Sequence, residues 1–264
     1  MRPAQKPSPA APVRVALKHH FLVRLAHWAN VPILLGLMLS GLSIHWAAPV
    51  YHLAPDPQTG ETDTLARVGA AVARHLPFVS APAAGWVYDH FALGRWQLAP
   101  ALRLHWFFAY LFMANGALYL VGLLAGGGFR ALLPRWRDVR DAGLMVRYYL
   151  GIVPMRLLRR AWTHPVVRGK YNALQRGAYA SMALAGAISI ASGWAMHKPS
   201  QLGWLERLFG SYDGARQWHF WMLWLFAAFV VPHVVLVLVD GWDTLRSMVT
   251  GWSRRLDHEQ DQAR

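Results

Sequence analysis

The sequence contains no cysteine. This absence excludes disulfides, thiolate-bound iron–sulfur clusters, cysteine zinc sites and covalent haem attachment through a C-x-x-C-H motif. Charged residues are also scarce: they make up 15% of the 264 residues, whereas a soluble protein of this length has roughly a quarter. Hydrophobic residues make up 55%, including 14 tryptophans. The composition indicates a membrane protein in which any haem is held non-covalently.

Four apolar segments reach the length of about twenty residues that a membrane-spanning helix needs. They cover about residues 25–46, 104–124, 173–196 and 218–239. Pro32 and Pro232 fall inside two of them, and membrane helices tolerate proline when neighbouring groups satisfy the backbone. The sequence therefore predicts an all-α integral membrane protein, a bundle of four transmembrane helices.

The segments outside the spans divide into tails and short helices. Residues 21–252 are expected to form the transmembrane domain, between a disordered basic leader at 1–20 and a polar tail at 253–264. Short interfacial helices are expected near Thr64–His75, Val139–Leu158 and Asp240–Val249. No internal repeat is evident.

The strongly basic charge is distributed unevenly between the connections. The net charge is +14, and 20 of the 27 lysines and arginines lie in the N-terminal flank, the connection between spans two and three, and the C-terminal tail. The positive-inside rule therefore places both termini and that connection in the cytoplasm. The distribution predicts a multi-pass protein of the bacterial inner membrane that contacts lipid head groups, not a nucleic-acid binder.

Two histidines in the fourth span, His219 and His233, lie fourteen residues apart in a run without charged residues. Fourteen helical residues rise about 21 Å and nearly complete four turns. The two imidazoles are therefore expected on one face of the helix, one near each side of the bilayer. This spacing suits two haem irons stacked across the membrane.

Two further histidines match this pair in depth. His27 lies near the inner end of span one, and His105 lies near the outer start of span two. Histidines expected at the same depth in the membrane can share a site. His27 is therefore expected to pair with His233 in an inner site, and His105 with His219 in an outer site. Ionisable residues inside a membrane are costly, which makes each a functional candidate. The alternative is that each imidazole is a hydrogen-bonded residue at the interface.

Other residues compete for these roles or accompany them. His45 is a rival to His105, and His20 is a rival to His27. Arg24 is placed to contact the propionates of an inner haem, and Arg103 and Arg216 those of an outer haem, although all three could simply set the topology. Small residues inside the spans, such as Gly36, Gly41 and Gly193, fit either close helix packing or room for a macrocycle.

Two motifs carry a family resemblance. The segment Arg24–Asn30 resembles the start of the cytochrome b561 and nickel-hydrogenase b-type cytochrome superfamily. The run Gly169–Arg176 resembles the K-Y-N-x-x-Q-K signature of formate dehydrogenase gamma subunits. The fourth span, with its histidines fourteen residues apart, is also similar to that family and to the dihaem cytochrome b anchors of the thiosulfate-reductase type.

The resemblance implies two non-covalent b-type haems, bound by His27, His105, His219 and His233. It also implies a quinone site beside the inner haem, which involves Asn172 and His233. Gln175 begins the same helix as Asn172 at that depth and is a second candidate for this site. The family pattern usually has glycine two residues after the asparagine, where this chain has Leu174. The alternative role of Asn172 is that of a helix N-cap.

The function implied is that of an electron-transfer subunit, not of a complete enzyme. Such a subunit passes electrons between the quinone or quinol pool and a partner oxidoreductase, here expected on the outer face. The partner types that the resemblance allows are a molybdopterin enzyme, a hydrogenase or a cytochrome c. Two alternatives stay open: a haem-free membrane anchor of such a complex, and a transporter whose histidines bind metal ions.

Overall fold

A computed structural model describes residues 13–17, 19–47, 90, 97–127, 129–158, 171–240 and 242–256. The helix expected near Thr64–His75 lies outside the described residues. The described elements, in chain order, are β1 Val13–Leu17, α1 Phe21–Ala47, α2 Leu98–Ala125, α3 Phe129–Leu132, α4 Asp138–Leu157, α5 Ala173–His197, α6 Gly203–Leu208, α7 Tyr212–Asp240, α8 Trp242–Thr250 and β2 Trp252–Leu256.

The prediction of a four-helix membrane protein is confirmed. Within the described part of the chain, four helices are long and apolar enough to cross a membrane: α1, α2, α5 and α7. Helix α2 begins at Leu98, earlier than the apolar pattern predicts. Its Pro100 lies in the first turn, where the missing N–H is not needed. The short helices α4 and α8 lie at the two places after residue 130 where interfacial helices are predicted.

The two strands were not predicted. Strand β1 lies within the segment expected to be a disordered leader, and β2 covers the start of the polar tail. They pair antiparallel, with Val13 opposite Leu256 and Leu17 opposite Trp252. Gly251 ends α8 with a φ of 89°, a left-handed conformation that suits glycine at a helix C-terminus. Because the partner of each strand lies at the opposite end of the sequence, the local sequence of neither segment indicates that the two strands pair.

The chain divides into two compact units, and each of the four spans contributes to both. The first unit consists of Met1–Leu25, Leu120–Ile188 and Trp224–Arg264, and the second of Ala26–Tyr119 and Ser189–Leu223. In the first unit, Met145 and Tyr148 form a small buried cluster with Leu174 packed against it. In the second, Ala195, Leu205 and Ala215 form the corresponding cluster.

Large apolar side chains on the spans are exposed in the isolated chain. Leu184, Val231 and Leu238 have exposed fractions of 62%, 67% and 72%. Most of the residues buried in the spans are instead small or polar, among them Ser40, Asn115 and Ser192. This distribution is that of helices that contact lipid outside and pack closely inside.

Gly36 allows α1 and α2 to approach closely, which provides a first test of the packing. A Cβ atom added at Gly36 would lie 2.3 Å from the ring of Phe108. Gly36→Ala is therefore expected to displace that ring and to destabilise the protein by about 1–3 kcal/mol, the usual cost of overpacking. The midpoint of unfolding in detergent measures the effect.

Gly116 supplies the matched control on α2. A Cβ atom added there meets nothing within 4 Å, so Gly116→Ala should leave the unfolding midpoint unchanged or raise it slightly. Equal effects of the two substitutions would show that the Gly36–Phe108 contact does not determine the packing of these spans.

Candidate functional site

His105 and His219 face each other within the second unit. Their ring centroids are 5.9 Å apart, and the ring planes are inclined at 68°. His105 is the eighth residue of α2 and His219 is the eighth residue of α7, so each ring projects from near the start of a span. The structure thus brings together the two residues of the predicted outer pair.

A buried serine contacts each of these imidazoles. The Oγ atom of Ser40 lies 3.0 Å from Nδ1 of His105, and the Oγ atom of Ser192 lies 3.0 Å from Nδ1 of His219. The exposed fractions of Ser40 and Ser192 are 1% and 0%. Since each serine engages Nδ1, the other ring nitrogen, Nε2, is the one left to bind a metal ion.

A glycine adjoins each serine and leaves room for the imidazole. A Cβ atom added at Gly41 would lie 3.3 Å from Cε1 of His105. One added at Gly193 would lie at the same distance from Cε1 of His219. Both glycines therefore leave room for an imidazole, a role that the sequence analysis did not name for them.

The distance between the rings fits one metal ion shared by two histidines. Bonds from a metal ion to an imidazole nitrogen are about 2 Å long, so two rings that share one ion have their centres about 6 Å apart. The observed 5.9 Å agrees with this spacing. Two half-buried imidazoles, each with its Nδ1 atom engaged, therefore form a donor set suited to the iron of a non-covalent haem.

The two rival histidines have other contacts. The ring of His45 stacks on Phe220, with centroids 4.6 Å apart. Nδ1 of His20 accepts a hydrogen bond of 3.3 Å from the main-chain N–H of Leu22, which caps the start of α1. These contacts favour His105 over His45 as the residue opposite His219.

The residues of the predicted inner pair belong to different units. His27 lies in the second unit, where its ring contacts Trp28 edge-on at 5.5 Å. His233 lies in the first unit, where its ring stacks on Phe229 at 5.3 Å. The pairing of His27 with His233 stays a prediction from their depth in the membrane.

Asn115 is a residue near His27 that the sequence analysis missed. Its Nδ2 atom donates to the Ala26 carbonyl and to Oδ1 of Asn30, both at 2.8 Å, and its exposed fraction is 7%. These bonds join α2 to α1 on either side of His27 in sequence. A single amide inside an otherwise apolar span was the available signal, because polar groups there need a partner.

The three arginines predicted to contact propionates have different surroundings. Arg24 donates from Nη1 to the Val249 carbonyl at 2.6 Å, while its buried Nε atom has no hydrogen-bond partner. Arg216 lies one turn before His219 and pairs with Asp213 at 3.4 Å. Arg103 is exposed and lines an open groove of about 500 Å³ together with Trp106 and His197, whereas His105 is not among the residues that line this groove.

Asn172 and Gln175 form a reciprocal cap at the start of α5. Oδ1 of Asn172 accepts from the main-chain N–H of Gln175 at 2.8 Å, and Oε1 of Gln175 accepts from the N–H of Asn172 at 3.0 Å. This is a capping box, so the alternative role of Asn172 as an N-cap is present. Nδ2 of Asn172 also donates to the Tyr149 hydroxyl at 3.2 Å, which joins the cap to α4.

A buried ion pair lies one turn further along α5. Both oxygens of the Asp138 carboxylate accept hydrogen bonds from the Arg176 guanidinium, and Oδ2 also accepts from the N–H of Arg135. The side chains of Arg176 and Asp138 are 10% and 9% exposed. The Arg176 hydrogen bonds lower the pKa of Asp138 from 3.8 to about 2, because they stabilise the carboxylate.

Comparisons with known proteins identify the family. Residues 18–251 match the family described as prokaryotic cytochrome b561. The chain is 26% identical over 231 residues to a putative protein-methionine-sulfoxide reductase subunit, YedZ1, of Azospira oryzae, and this match covers 87% of the chain and 93% of the relative. No solved structure matches the chain.

The chain belongs to the prokaryotic cytochrome b561 family, whose members are membrane b-type cytochromes that transfer electrons and bind haem b. The family prediction is therefore confirmed. The narrower resemblance to formate dehydrogenase gamma subunits stays a prediction. Because the family binds haem, neither the haem-free anchor nor the metal-ion transporter is favoured.

Proposed function

We propose that the chain is a dihaem cytochrome b subunit that carries electrons across the membrane between the quinone pool and a partner oxidoreductase. The observation that supports it most directly is the His105–His219 pair. Its rings have the spacing that one iron requires, and a buried serine engages Nδ1 of each ring. The pair lies in a chain whose family binds haem b.

In the proposed outer site, His105 and His219 would hold the haem iron through their Nε2 atoms. A haem held between two imidazoles supplies one-electron transfer and has no open position for oxygen chemistry. Arg216 and Arg103 are proposed to neutralise its propionates. The position of Arg216 one turn before His219 supports this role. Arg103 lies two residues before His105 on α2, near the start of that span.

In the proposed inner site, His27 and His233 supply the corresponding nitrogens. The distance of fourteen residues between His219 and His233 on the single helix α7 supports a second site at another depth. Arg24 is proposed to contact an inner propionate. Its buried Nε atom supports this, since a buried donor without a partner is costly unless an acceptor is present.

The quinone site is proposed to lie beside the cap formed by Asn172 and Gln175. Both side chains already serve the backbone of α5, and Asn172 in addition donates to Tyr149. A role in quinone binding therefore has to coexist with the cap. A quinone needs hydrogen-bonding groups for its oxygens in otherwise apolar surroundings, and the side-chain amides of Asn172 and Gln175 are groups of this kind.

The proposed orientation of the chain in the membrane rests on its charge distribution, and the proposed partner rests on the named relative. Both termini are proposed to be cytoplasmic in a bacterial inner membrane, which follows from the bias of lysine and arginine. The relative from Azospira oryzae is named as a subunit of a methionine-sulfoxide reductase. By analogy, the chain is proposed to serve a separate oxidoreductase subunit on the outer face.

Reduction by quinol tests the proposed electron path. The purified chain, mixed anaerobically with a quinol, should develop the absorption of reduced b-type haem. Asn172→Ala should slow this reduction at least tenfold while haem content is retained. Asn172→Ser, which keeps an oxygen that can cap α5 but removes the amide, is the control for damage to α5 and should also be slowed. Unchanged reduction in Asn172→Ala would contradict the quinone assignment.

A further inference from the structure

Two copies of one short serine–glycine motif contact the His105–His219 pair. Helix α1 carries Ser40 followed by Gly41, and α5 carries Ser192 followed by Gly193. In both copies the serine Oγ lies 3.0 Å from Nδ1 of the imidazole, and the glycine would place a Cβ 3.3 Å from its Cε1. Two helices far apart in sequence thus make the same two contacts.

The correspondence extends along both helices to a second histidine. The segments Leu39–His45 and Ala191–His197 read LSGLSIH and ASGWAMH, so each has histidine five residues after its serine. The ring of His45 stacks on Phe220, and that of His197 contacts Trp106 with centroids 4.0 Å apart. Phe220 follows His219, and Trp106 follows His105. The serine of each copy therefore contacts one histidine of the pair, and the histidine of the same copy contacts the residue that follows the other histidine of the pair.

These contacts amount to an approximate twofold symmetry within the second unit. It exchanges α1 with α5 and α2 with α7, and the His105–His219 pair lies where the two halves meet. The correspondence is hard to see in the sequence, because it covers seven positions and only three of them are identical. A common S-G-x-x-x-H pattern in two spans was the signal that could have revealed it.

The serine hydroxyls also determine which ring nitrogen carries the proton. The Ser40 hydroxyl donates to the Gly36 carbonyl at 2.6 Å, and the Ser192 hydroxyl donates to the Ser189 carbonyl at 3.3 Å. A hydroxyl has one hydrogen, so each Oγ is left to accept a hydrogen bond from the facing Nδ1–H. This network assigns both imidazoles to the same tautomer, in which Nε2 carries the free lone pair.

The backbone around the two serines corresponds as well. The Ser40 hydroxyl also lies 3.2 Å from the Leu37 carbonyl oxygen, and the Ser192 hydroxyl lies 3.3 Å from the Ser189 carbonyl oxygen. Leu37 and Ser189 each lie three residues before the serine of their copy, which extends the symmetry to the backbone.

We propose that Ser40 and Ser192 are positioning residues of the outer haem site, and that they fix the tautomer and the orientation of its two ligands symmetrically. The proposal rests on the proposed function, since it takes His105 and His219 as haem ligands. A ligating histidine whose second nitrogen donates a hydrogen bond is oriented and becomes more basic. Greater basicity favours ferric over ferrous iron, so the two hydroxyls lower the reduction potential of this haem.

Alanine at either serine tests the proposal. Ser40→Ala and Ser192→Ala should each raise the midpoint potential of the same one of the two haems. We expect a threefold to tenfold change in the ratio of ferric to ferrous stability, which is about 30–60 mV at 59 mV per tenfold for one electron. The double variant should shift that haem further, and the potential of the other haem should stay unchanged.

Ser43 provides a matched control on α1. Its exposed fraction is 2%, its hydroxyl donates to the Leu39 carbonyl at 2.8 Å, and its counterpart in the second copy is Ala195. Ser43→Ala should leave both potentials and the electron paramagnetic resonance g-values of both ferric haems as they are. Ser40→Thr, which keeps a hydroxyl at the same place, should retain the potential that Ser40→Ala loses.

The possible outcomes separate the proposal from the function on which it rests. A wild-type chain that binds no haem would refute the proposed function. Two haems with unchanged potentials and g-values in both alanine variants would overturn only the role of the serines, as would shifts in different haems. Haem loss in Ser40→Ala that does not occur in Ser40→Thr supports the hydroxyl's role, whereas haem loss in both Ser40→Ala and Ser40→Thr counts against it.

Discussion

Replacing His219 with alanine is expected to remove one of the two haems and to leave the other in place. His219 faces His105 at 5.9 Å, so an iron between them loses one of its two protein ligands. Its loss also leaves the Ser192 hydroxyl without the imidazole that it contacts at 3.0 Å. Haem content per chain should fall from two equivalents to one, measured from the pyridine haemochromogen spectrum of the purified protein.

Companion variants show whether the assignment by depth is right. His105→Ala should remove the same haem as His219→Ala, and His233→Ala should remove the other one. His45→Ala is the control: its ring stacks on Phe220, and both haems should remain. Retention of two haems in His219→Ala, or loss of one in His45→Ala with retention in His105→Ala, would contradict the ligand assignment.

The substitution Asp138→Asn is expected to destabilise the chain by about 3–5 kcal/mol, the usual cost of removing one partner of a buried ion pair. Asparagine has nearly the same shape but leaves the Arg176 guanidinium, 10% exposed, without its countercharge. The loss also weakens the attachment of α4 to the start of α5. The free energy of unfolding in detergent, from a denaturant titration, measures the effect.

Asp141 provides the control on the same helix. It is exposed, so Asp141→Asn should change the free energy of unfolding by no more than about 0.5 kcal/mol. Combining Asp138→Asn with Arg176→Met removes both charges and should recover part of the loss. Equal effects of Asp138→Asn and Asp141→Asn would show that the ion pair contributes little.

The same pair makes stability depend on pH in a defined range. The pKa of Asp138 is lowered from 3.8 to about 2 by the Arg176 hydrogen bonds, so the folded chain holds the carboxylate in its charged form more strongly than the unfolded chain does. The stabilisation is fully present above pH 3.8 and disappears as the pH falls through about 2. Asp138→Asn should abolish this part of the acid dependence.

The fold was predictable because a membrane imposes a strong constraint on sequence. A span must satisfy its own backbone and cover about 30 Å with apolar residues, which leaves a pattern that needs no tertiary information. The paired strands Val13–Leu17 and Trp252–Leu256 were not predictable in this way. Each is short, and its partner lies at the other end of the chain.

The proximity of His105 and His219 was predictable from the sequence, but the contacts that support these two residues were not. Because consecutive spans run in opposite directions, spans two and four run in the same direction. His105 and His219 each lie near the start of one of these spans, so both were expected at the same depth in the membrane. The contacts of Ser40 and Ser192 depend on how each helix is rotated about its axis, which depth does not determine. Asn172 and Gln175 show the converse: their residue types suit a quinone, and the structure uses them as a helix cap.

The haem content of the purified wild-type chain tests the central proposal most directly. Two equivalents of non-covalent haem b per chain are expected, with the spectrum of low-spin iron bound by two histidines. A chain that binds a single haem, or none, would contradict the proposal that His27 and His233 form a second site at another depth from His105 and His219.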